Sequence, residues 1–593
     1  MNKKIMTTSN LMRPIGLLMF MCFVCTSWGQ QVDSTDTSLE RQVTVERAYQ
    51  PIIQDAGKIS FTPQRIEANI ERSELVYPLT STPLHIDENF NRLPAITTKF
   101  NPPTPTQGYL QAAIGHANSD FKFGYRMKEK KSIVLDVFAT HEGQWGRKAW
   151  SNSSLGMNFT KKTSALDVYF NLMGKNVYFT RYGRHYDGAN GLTVDKVSQM
   201  HPSDKQLIWD ASANIGIKSG SGSDFKYMLQ TGYEAYIIPQ TITEHAIKTQ
   251  GMFEWSSNDH VVGAKLSVQN SMYSADTLHI TDSSLFHSRH AFRIEPYYEF
   301  SHKKVSLHIG VNLDFNIGRG QLLSNIENLA FAPSPNVHFE YRIVPEWFAL
   351  YMKAEGRLSS GMLQGFMDKN PYRAISRGAL TNHTSQYNPI DATLGFIIKP
   401  ADCLLINLYG GYTWINDDAV FLAPSVEELQ KDPYTFIDYR YSDWQRWQVG
   451  LECTYHYQDI IHIALGGHYY HWINTGIEGK GLEIPLDSYD RPAWDASLDI
   501  HANINSKWAV YANNQFIGGS KVLTYTTDSN GNITFNTAQK KAFIDLSLGV
   551  EYAFNKWLGF YFELNNYINR KNDIYYGYQT QGINGVIGVE WKF

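Results

Sequence analysis

The chain has 593 residues, with 53 basic against 57 acidic side chains, 14% aromatics, 44 glycines and only 4 cysteines. This mildly acidic balance leaves no basic footprint for nucleic acid. No run of 18 apolar residues follows the N-terminus, so no membrane-crossing helix is expected.

The first residues read as a secretory leader. Lys3, Lys4 and Arg13 precede an apolar run from Ile15 to Trp28, and Ser27 and Gly29 suit cleavage after Gly29. Cys22 and Cys25 lack the preceding small residues of a lipoprotein signal, and cleavage leaves Cys403 and Cys453. Parity places Cys403 toward the inside of the sheet and Cys453 outside, so a bridge between them is not expected.

Residues 30–106 differ in character from the rest. Eight of the chain's 22 prolines lie between Pro51 and Pro105, which excludes long helices and central strands. The segment reads as extended, with Asn101–Thr106 (NPPTPT) as a stiff linker. The expected organisation is a leader (1–29), this Pro-rich periplasmic or lumen-threading segment (30–106) and a β-barrel (107–593).

From Tyr109 onward the pattern is strand-like. Val305, Leu307, Ile309, Val311, Leu313, Phe315 and Ile317 alternate with Ser306, His308, Gly310, Asn312, Asp314 and Asn316. Leu546, Leu548, Val550, Tyr552 and Phe554 repeat this against Asp545, Ser547, Gly549 and Glu551. Such runs are longer than the 5 or 6 residues usual in soluble sheets and suit tilted strands crossing a bilayer.

Two kinds of connection alternate along the chain. Ten are tight and polar, at Glu129–Lys131, Lys161–Thr163, Ser219–Gly222, Ser257–Asp259, His302–Lys304, Pro345–Glu346, Pro400–Asp402, Gln458–Asp459, Asn505–Lys507 and Asn555–Lys556. Trp347, Trp508 and Trp557 directly follow such turns, as an interfacial aromatic girdle requires. The other connections, near 183–205, 276–287, 319–332, 362–387, 417–440, 475–492, 522–539 and 571–580, are long and read as irregular. Ten short turns imply about 22 strands, hence an all-β, transmembrane antiparallel barrel with short periplasmic turns and long extracellular loops. Barrels of this size have plugged lumens.

The chain ends on INGVIGVEWKF, in which Ile587, Val589, Trp591 and Phe593 share one parity. This ending resembles the closing strand of bacterial outer-membrane barrels, which carries a barrel-assembly signal. With the leader and the strand count, residues 109–593 resemble the barrel of TonB-dependent receptors. The stretch QVTVERAYQPIIQDAGKI is similar to the N-terminal segment of receptor-like barrels of the Bacteroidota, through Val43, Val45, Tyr49, Pro51, Asp55, Ala56, Lys58 and Ile59. Val43–Val45 would stand where such receptors contact an energising protein.

The resemblance implies a cell outer-membrane location, contacts with outer-membrane lipid, insertion by the barrel-assembly machinery, and periplasmic or surface protein partners. It implies a receptor-like transporter or gated channel for a solute. The alternative is a non-transporting accessory or scaffold barrel within a larger complex. Residues 30–106 are too few and too Pro-rich for a complete plug, so either this reduced plug or inward-folded loops must fill the lumen.

Inside the barrel, parity gathers His456, His462, His468 and His501 with Glu452, Asp495 and Asp499. They read first as a hydrogen-bonded polar wall, and alternatively as a divalent-metal or proton-relay cluster. Arg293, Glu295 and Glu299, with Lys226 and Glu234, read as structural ion pairs or a solute filter. Ser425–Glu428 fits a helix-capping box in an acidic loop that also holds Asp417, Asp418 and Asp432. Tyr469, Tyr470, Trp472, Trp444 and Trp447 read as an outer aromatic girdle, or else as carbohydrate-stacking rings. No catalytic constellation or cofactor motif stands out, so no enzymatic activity and no cofactor are expected.

Overall fold

The computed structural model describes residues 107–593 except 128–131, 147, 182–204, 221–224, 240, 276–287, 318–328, 360–362, 373–384, 425–437, 459, 478–483 and 531. The leader, the segment 30–106 with its Val43–Ile59 stretch, and the capping box at Ser425–Glu428 therefore lie outside the described residues.

The strands in chain order are β1 (Gly108–Gly115), β2 (Asn118–Arg126), β3 (Ile133–Gln144), β4 (Trp150–Lys162), β5 (Leu166–Thr180), β6 (Lys205–Ser219), β7 (Phe225–Ile238), β8 (Ile242–Ser257), β9 (His260–Ala275), β10 (Arg289–His302), β11 (Val305–Ile317), β12 (Leu329–Val344) and β13 (Phe348–Leu358). A short helix, α1 (Leu363–Lys369), follows. Then come β14 (Tyr387–Ala401), β15 (Leu404–Pro424), β16 (Asp438–Tyr457), β17 (Ile461–Ile477), β18 (Trp494–Asn503), β19 (Trp508–Ile517), β20 (Ser520–Thr527), β21 (Ile533–Lys540), β22 (Phe543–Ala553), β23 (Leu558–Asn565), β24 (Asp573–Tyr575), β25 (Tyr578–Gln579) and β26 (Asn584–Lys592).

Strands β1 to β19 pair in sequence, β19 pairs with β22, and β22, β23 and β26 follow. β26 then pairs back onto β1, from Tyr109↔Lys592 to Gly115↔Val586. The result is a closed antiparallel barrel of 22 strands with no open edge, as a membrane-spanning sheet requires. The hairpins β20–β21 and β24–β25 are built from the connections.

All ten short turns predicted from sequence join consecutive barrel strands at one end. Several place a non-glycine residue in the left-handed region: Asn258 (φ 51°), Lys303 (φ 47°), Glu346 (φ 78°) and Gln458 (φ 49°). Tight hairpins favour positive φ because it matches the twist of the flanking strands.

The two faces are inverted relative to a soluble sheet. On β11, Ile309 and Val311 are 47% and 42% exposed, while Asn312 and Asp314 point inward and are buried. Leu408 on β15 and Leu451 on β16 stand opposite each other, and both are exposed outward. An outer surface of exposed large apolar side chains fits a lipid solvent.

The C-terminal strand follows its predicted parity. Ile587 and Trp591 are exposed, whereas Lys592 is buried inside. The Phe593 N–H donates to the Gly108 carbonyl (2.9 Å) and the Gly108 N–H to the Phe593 carbonyl (2.7 Å), so the last residue completes the seam. Cys403 and Cys453 are both free thiols.

The outer connections are more ordered than expected. β15 and β16 run into the region 417–440 and pair up to Leu422↔Asp438 beyond a bulge at Ile415/Asp418. β12 begins within 319–332 at Leu329. The region 522–539 is the hairpin β20–β21, and 362–387 contains α1. Apolar residues such as Val420, Leu422, Val522 and Leu523 continue there because they have a surface to bury against.

Candidate functional site

That surface is the mouth of the barrel. α1 is about two turns of helix on the β13–β14 connection, and Leu363 and Met367, four residues apart, share a face. They are 2% and 1% exposed. Their cluster takes in Phe179 of β5, Ile208 of β6, Tyr236 and Ile238 of β7 and Ile242 of β8. It also takes in Ala419 of β15, Tyr441 of β16 and Tyr578 of β25. Strands β9–β14 separate these two parts of the wall, so α1 bridges across the opening.

Polar contacts fix both ends of the helix. The Leu363 N–H donates to Glu244 Oε2 (2.7 Å) and Gln364 Nε2 to Asp210 Oδ2 (3.0 Å), so two inward carboxylates of β8 and β6 receive its first turn. At the other end, Lys369 Nζ donates to Asp418 Oδ1 (2.8 Å) and Gln386 Oε1 (2.6 Å). Acid at the start and base at the end both suit the helix dipole. Next to it Tyr372 stacks on Tyr578 at 3.9 Å, and the Tyr575 hydroxyl donates to the Lys369 carbonyl (3.1 Å), tying in the β24–β25 hairpin.

The second cover is the hairpin β20–β21. It leaves the wall between β19 and β22 and pairs in parallel with β15 at Leu422↔Leu523 through Pro424↔Tyr525, passing over the rim of β16–β18. Leu523 and Phe535 pack there with Ile415, Val420, Leu422, Trp444, Tyr470, Trp472 and Tyr489. Trp444, Tyr470 and Trp472 are 0%, 9% and 9% exposed. The expected girdle is thereby corrected. Trp447 and Tyr469 do face outward at 54% and 58%, but their neighbours of opposite parity are the buried lining of the mouth.

Asp418 links the covers. It is 1% exposed. Its Oδ1 accepts from Lys369 of the β13–β14 connection, and its Oδ2 pairs with Arg491 of the β17–β18 connection. Arg491 lies over the Trp444 ring (5.3 Å) and the Trp472 ring (5.2 Å). Arg446, 5% exposed, lies over Trp472 at 5.3 Å and donates from Nη2 to Thr413 Oγ1 (2.8 Å). A dry carboxylate held by two cations is strongly coupled to both, because low dielectric magnifies their attraction and the cost of separating them.

The β17–β18 connection is also stitched to the hairpin. The Asp490 N–H donates to the Lys521 carbonyl (2.7 Å), and Lys521 Nζ donates to Asp487 Oδ2 (2.6 Å). Asp490 Oδ2 is buried and, among the described residues, has no hydrogen-bond partner. Burial pushes this carboxyl up to about 6, against the opposing pull of Lys540 and of the Phe421 backbone N–H.

Below the mouth, the predicted inward charges pair across neighbouring strands. Arg293 grips Asp314 with two hydrogen bonds (2.6 and 3.0 Å). Lys265 meets Glu295 at 2.9 Å, His308 meets Glu299 at 2.9 Å, and Lys248 pairs with Glu234. Lys226 stands opposite Glu254 in register. Inward tyrosines lie flat over cross-strand glycines: Tyr511 covers Gly549, where a Cβ would sit 2.0 Å from the ring, and its hydroxyl reaches Glu563 Oε2 (2.8 Å). Sequence parity marks such tyrosines as inward, but only the register reveals the glycine beneath.

The predicted histidine cluster divides in two. His468 Nδ1 is 2.6 Å from Asp495 Oδ1, and its Nε2 is 3.8 Å from Glu452. Further down, His456, His462 and His501 stand directly opposite one another on β16, β17 and β18, with Asp499 one step above on the same face. Among the described residues, no three His, Cys, Asp or Glu side chains converge on a metal position.

No family model matches the chain, and no curated protein sequence matches it. Solved structures do. The ferric-catecholate import receptor Fiu of E. coli K12, in its closed form, is 11% identical, with a TM-score of 0.57 over 83% of this chain and 82% of that chain. The siderophore receptor PirA of Acinetobacter baumannii is 11% identical, with a TM-score of 0.60 over 83% of this chain and 81% of that one. The FrpB iron transporter of Neisseria meningitidis is 8% identical, with a TM-score of 0.61 over 83% and 82%. At such identities the likeness is one of architecture, and the chain has the barrel fold of these receptors and transporters.

Proposed function

We propose that this protein is a receptor-like transporter or gated channel of the outer membrane, passing a solute through a lumen whose mouth its own loops close. The observation that carries this reading is the bridging of the opening by α1, whose Lys369 pairs with Asp418, and by the β20–β21 hairpin, which is stitched to the β17–β18 connection that holds Arg491, the other partner of Asp418. The fold likeness to proteins described as an import receptor, a siderophore receptor and an iron transporter supports the same reading. In this account the leader is removed near Gly29, barrel-assembly machinery inserts the chain, and residues 30–106 act as a reduced plug in series with the loops. Val43, Val45, Tyr49, Pro51, Asp55, Ala56, Lys58 and Ile59 then form its contact segment for a periplasmic partner. No catalytic role is assigned.

The second reading, an accessory or scaffold barrel, draws on the extent of the apolar packing in the two covers. Cell permeability separates the two. Removal of 31–106 together with Asp418→Ala opens both barriers and admits a bulky antibiotic such as vancomycin, whereas either change alone does not. A correctly inserted double variant that leaves permeability unchanged favours the scaffold.

A further inference from the structure

The lower histidines form a site that the gated-mouth account does not use. His456 and His462 flank the short β16–β17 turn and stand opposite each other in register. Their rings lie 4.5 Å apart, tilted by 40°, with the two Nδ1 atoms 2.9 Å from each other. His501 occupies the next position of the same row, opposite His462. The His456 N–H donates to the Cys403 carbonyl (2.7 Å), which extends the row to a fourth strand.

Two imidazole nitrogens facing at this distance either share one proton or share one ion. The spacing favours one coordination geometry. Metal–imidazole bonds of about 2.05 Å, joined to nitrogens 2.9 Å apart, subtend about 90° at the metal. A tetrahedral zinc ion would hold the nitrogens about 3.3 Å apart. Tetragonal copper(II) and nickel(II) take angles near 90° with nitrogen and oxygen donors.

We propose that His456 and His462 form a bidentate site for a divalent transition metal of tetragonal preference, copper(II) above all, on the lumen wall near the short-turn end. Both imidazoles bind through Nδ1 and carry their proton on Nε2. Among the described residues no third His, Cys, Asp or Glu side chain converges on the pair, and water or a metal-borne ligand completes the coordination. The pairing sits on rigid strands whose register fixes the bite. The site stands independently of the transport reading, since a closed scaffold barrel would hold it equally.

The test titrates the full mature chain, folded in detergent, with copper(II), nickel(II) and zinc(II) chlorides, and records the copper electron paramagnetic resonance spectrum. One copper with splitting from two equivalent nitrogens is expected, and nickel is expected to bind at least as tightly as zinc. His456→Gln or His462→Gln should weaken copper binding at least about tenfold and remove one nitrogen from the spectrum, while His501→Gln leaves two. In the unaltered chain, copper should protect His456 and His462 from acylation by diethylpyrocarbonate, a readout that needs no variant. Absence of bound copper, or a spectrum unchanged in both variants with no protection, overturns the proposal.

Discussion

Asp418 carries more of the account than any other side chain, and its sequence context gives little sign of it. It follows Asp417 in what reads as an acidic loop. Its burial arises because the bulge at Ile415/Asp418 turns it inward, and because Lys369 and Arg491 arrive from connections 49 and 73 residues away. No local pattern encodes partners so distant. Asp418→Ala removes the buried carboxylate that Lys369 and Arg491 share, which should weaken closure by roughly 3 kcal/mol. Hydrogen exchange in 363–372 and 484–493 should accelerate together in this variant, while the β10–β12 amides keep their protection.

Asp490 adds a pH dependence of known sign. Its carboxyl titrates near 6 in the closed arrangement, above the ordinary carboxylate value, so the closed state binds the proton more tightly than the open one. Closure is therefore favoured as pH falls from 7 through 6 toward about 4, and weakens as pH rises through 6. Hydrogen exchange of 484–493, corrected for intrinsic rates, should show more protection at pH 5 than at pH 7.5. Asp490→Asn should remove that difference.

At the scale of elements, the sequence was most legible where periodicity runs long. β11 and β22 announce both their faces, and the ten tight turns mark one end of every hairpin. The signal fails where an element is short or its neighbours are remote. α1 has seven residues, too few for a helical period to stand out, and its apolar face matters only because strands from two parts of the wall converge on it. The β20–β21 hairpin likewise becomes a cover only through its parallel pairing with β15. Tyr470, Trp472 and Trp444 read as girdle residues because residues at a strand end carry an aromatic on either face, and only the closed lumen distinguishes the two. Met367→Ala should cost about 2–5 kcal/mol of local packing, since Met367 is almost wholly buried. Limited proteolysis should then cut the β13–β14 connection sooner, with the barrel still resisting heat in detergent.

At the scale of the whole molecule, closure by β1 and β26 fixes the lumen, and the lumen sets every inward role. Ion pairs and tyrosines laid over glycines are the ordinary furnishing of a polar interior whose outer face meets lipid. The covers lie across the mouth of this tube. Their strength rests on apolar packing, but their registration rests on the carboxylate at 418.

The most direct test is single-channel conductance in a planar bilayer, for the chain lacking 31–106 with Asp418 intact and for the same chain with Asp418→Ala. A closed channel is expected in the first and frequent open steps in the second, because the loops are then the remaining barrier. Full conductance in the first chain, unchanged by the substitution, would contradict it and place the barrier in the N-terminal segment alone.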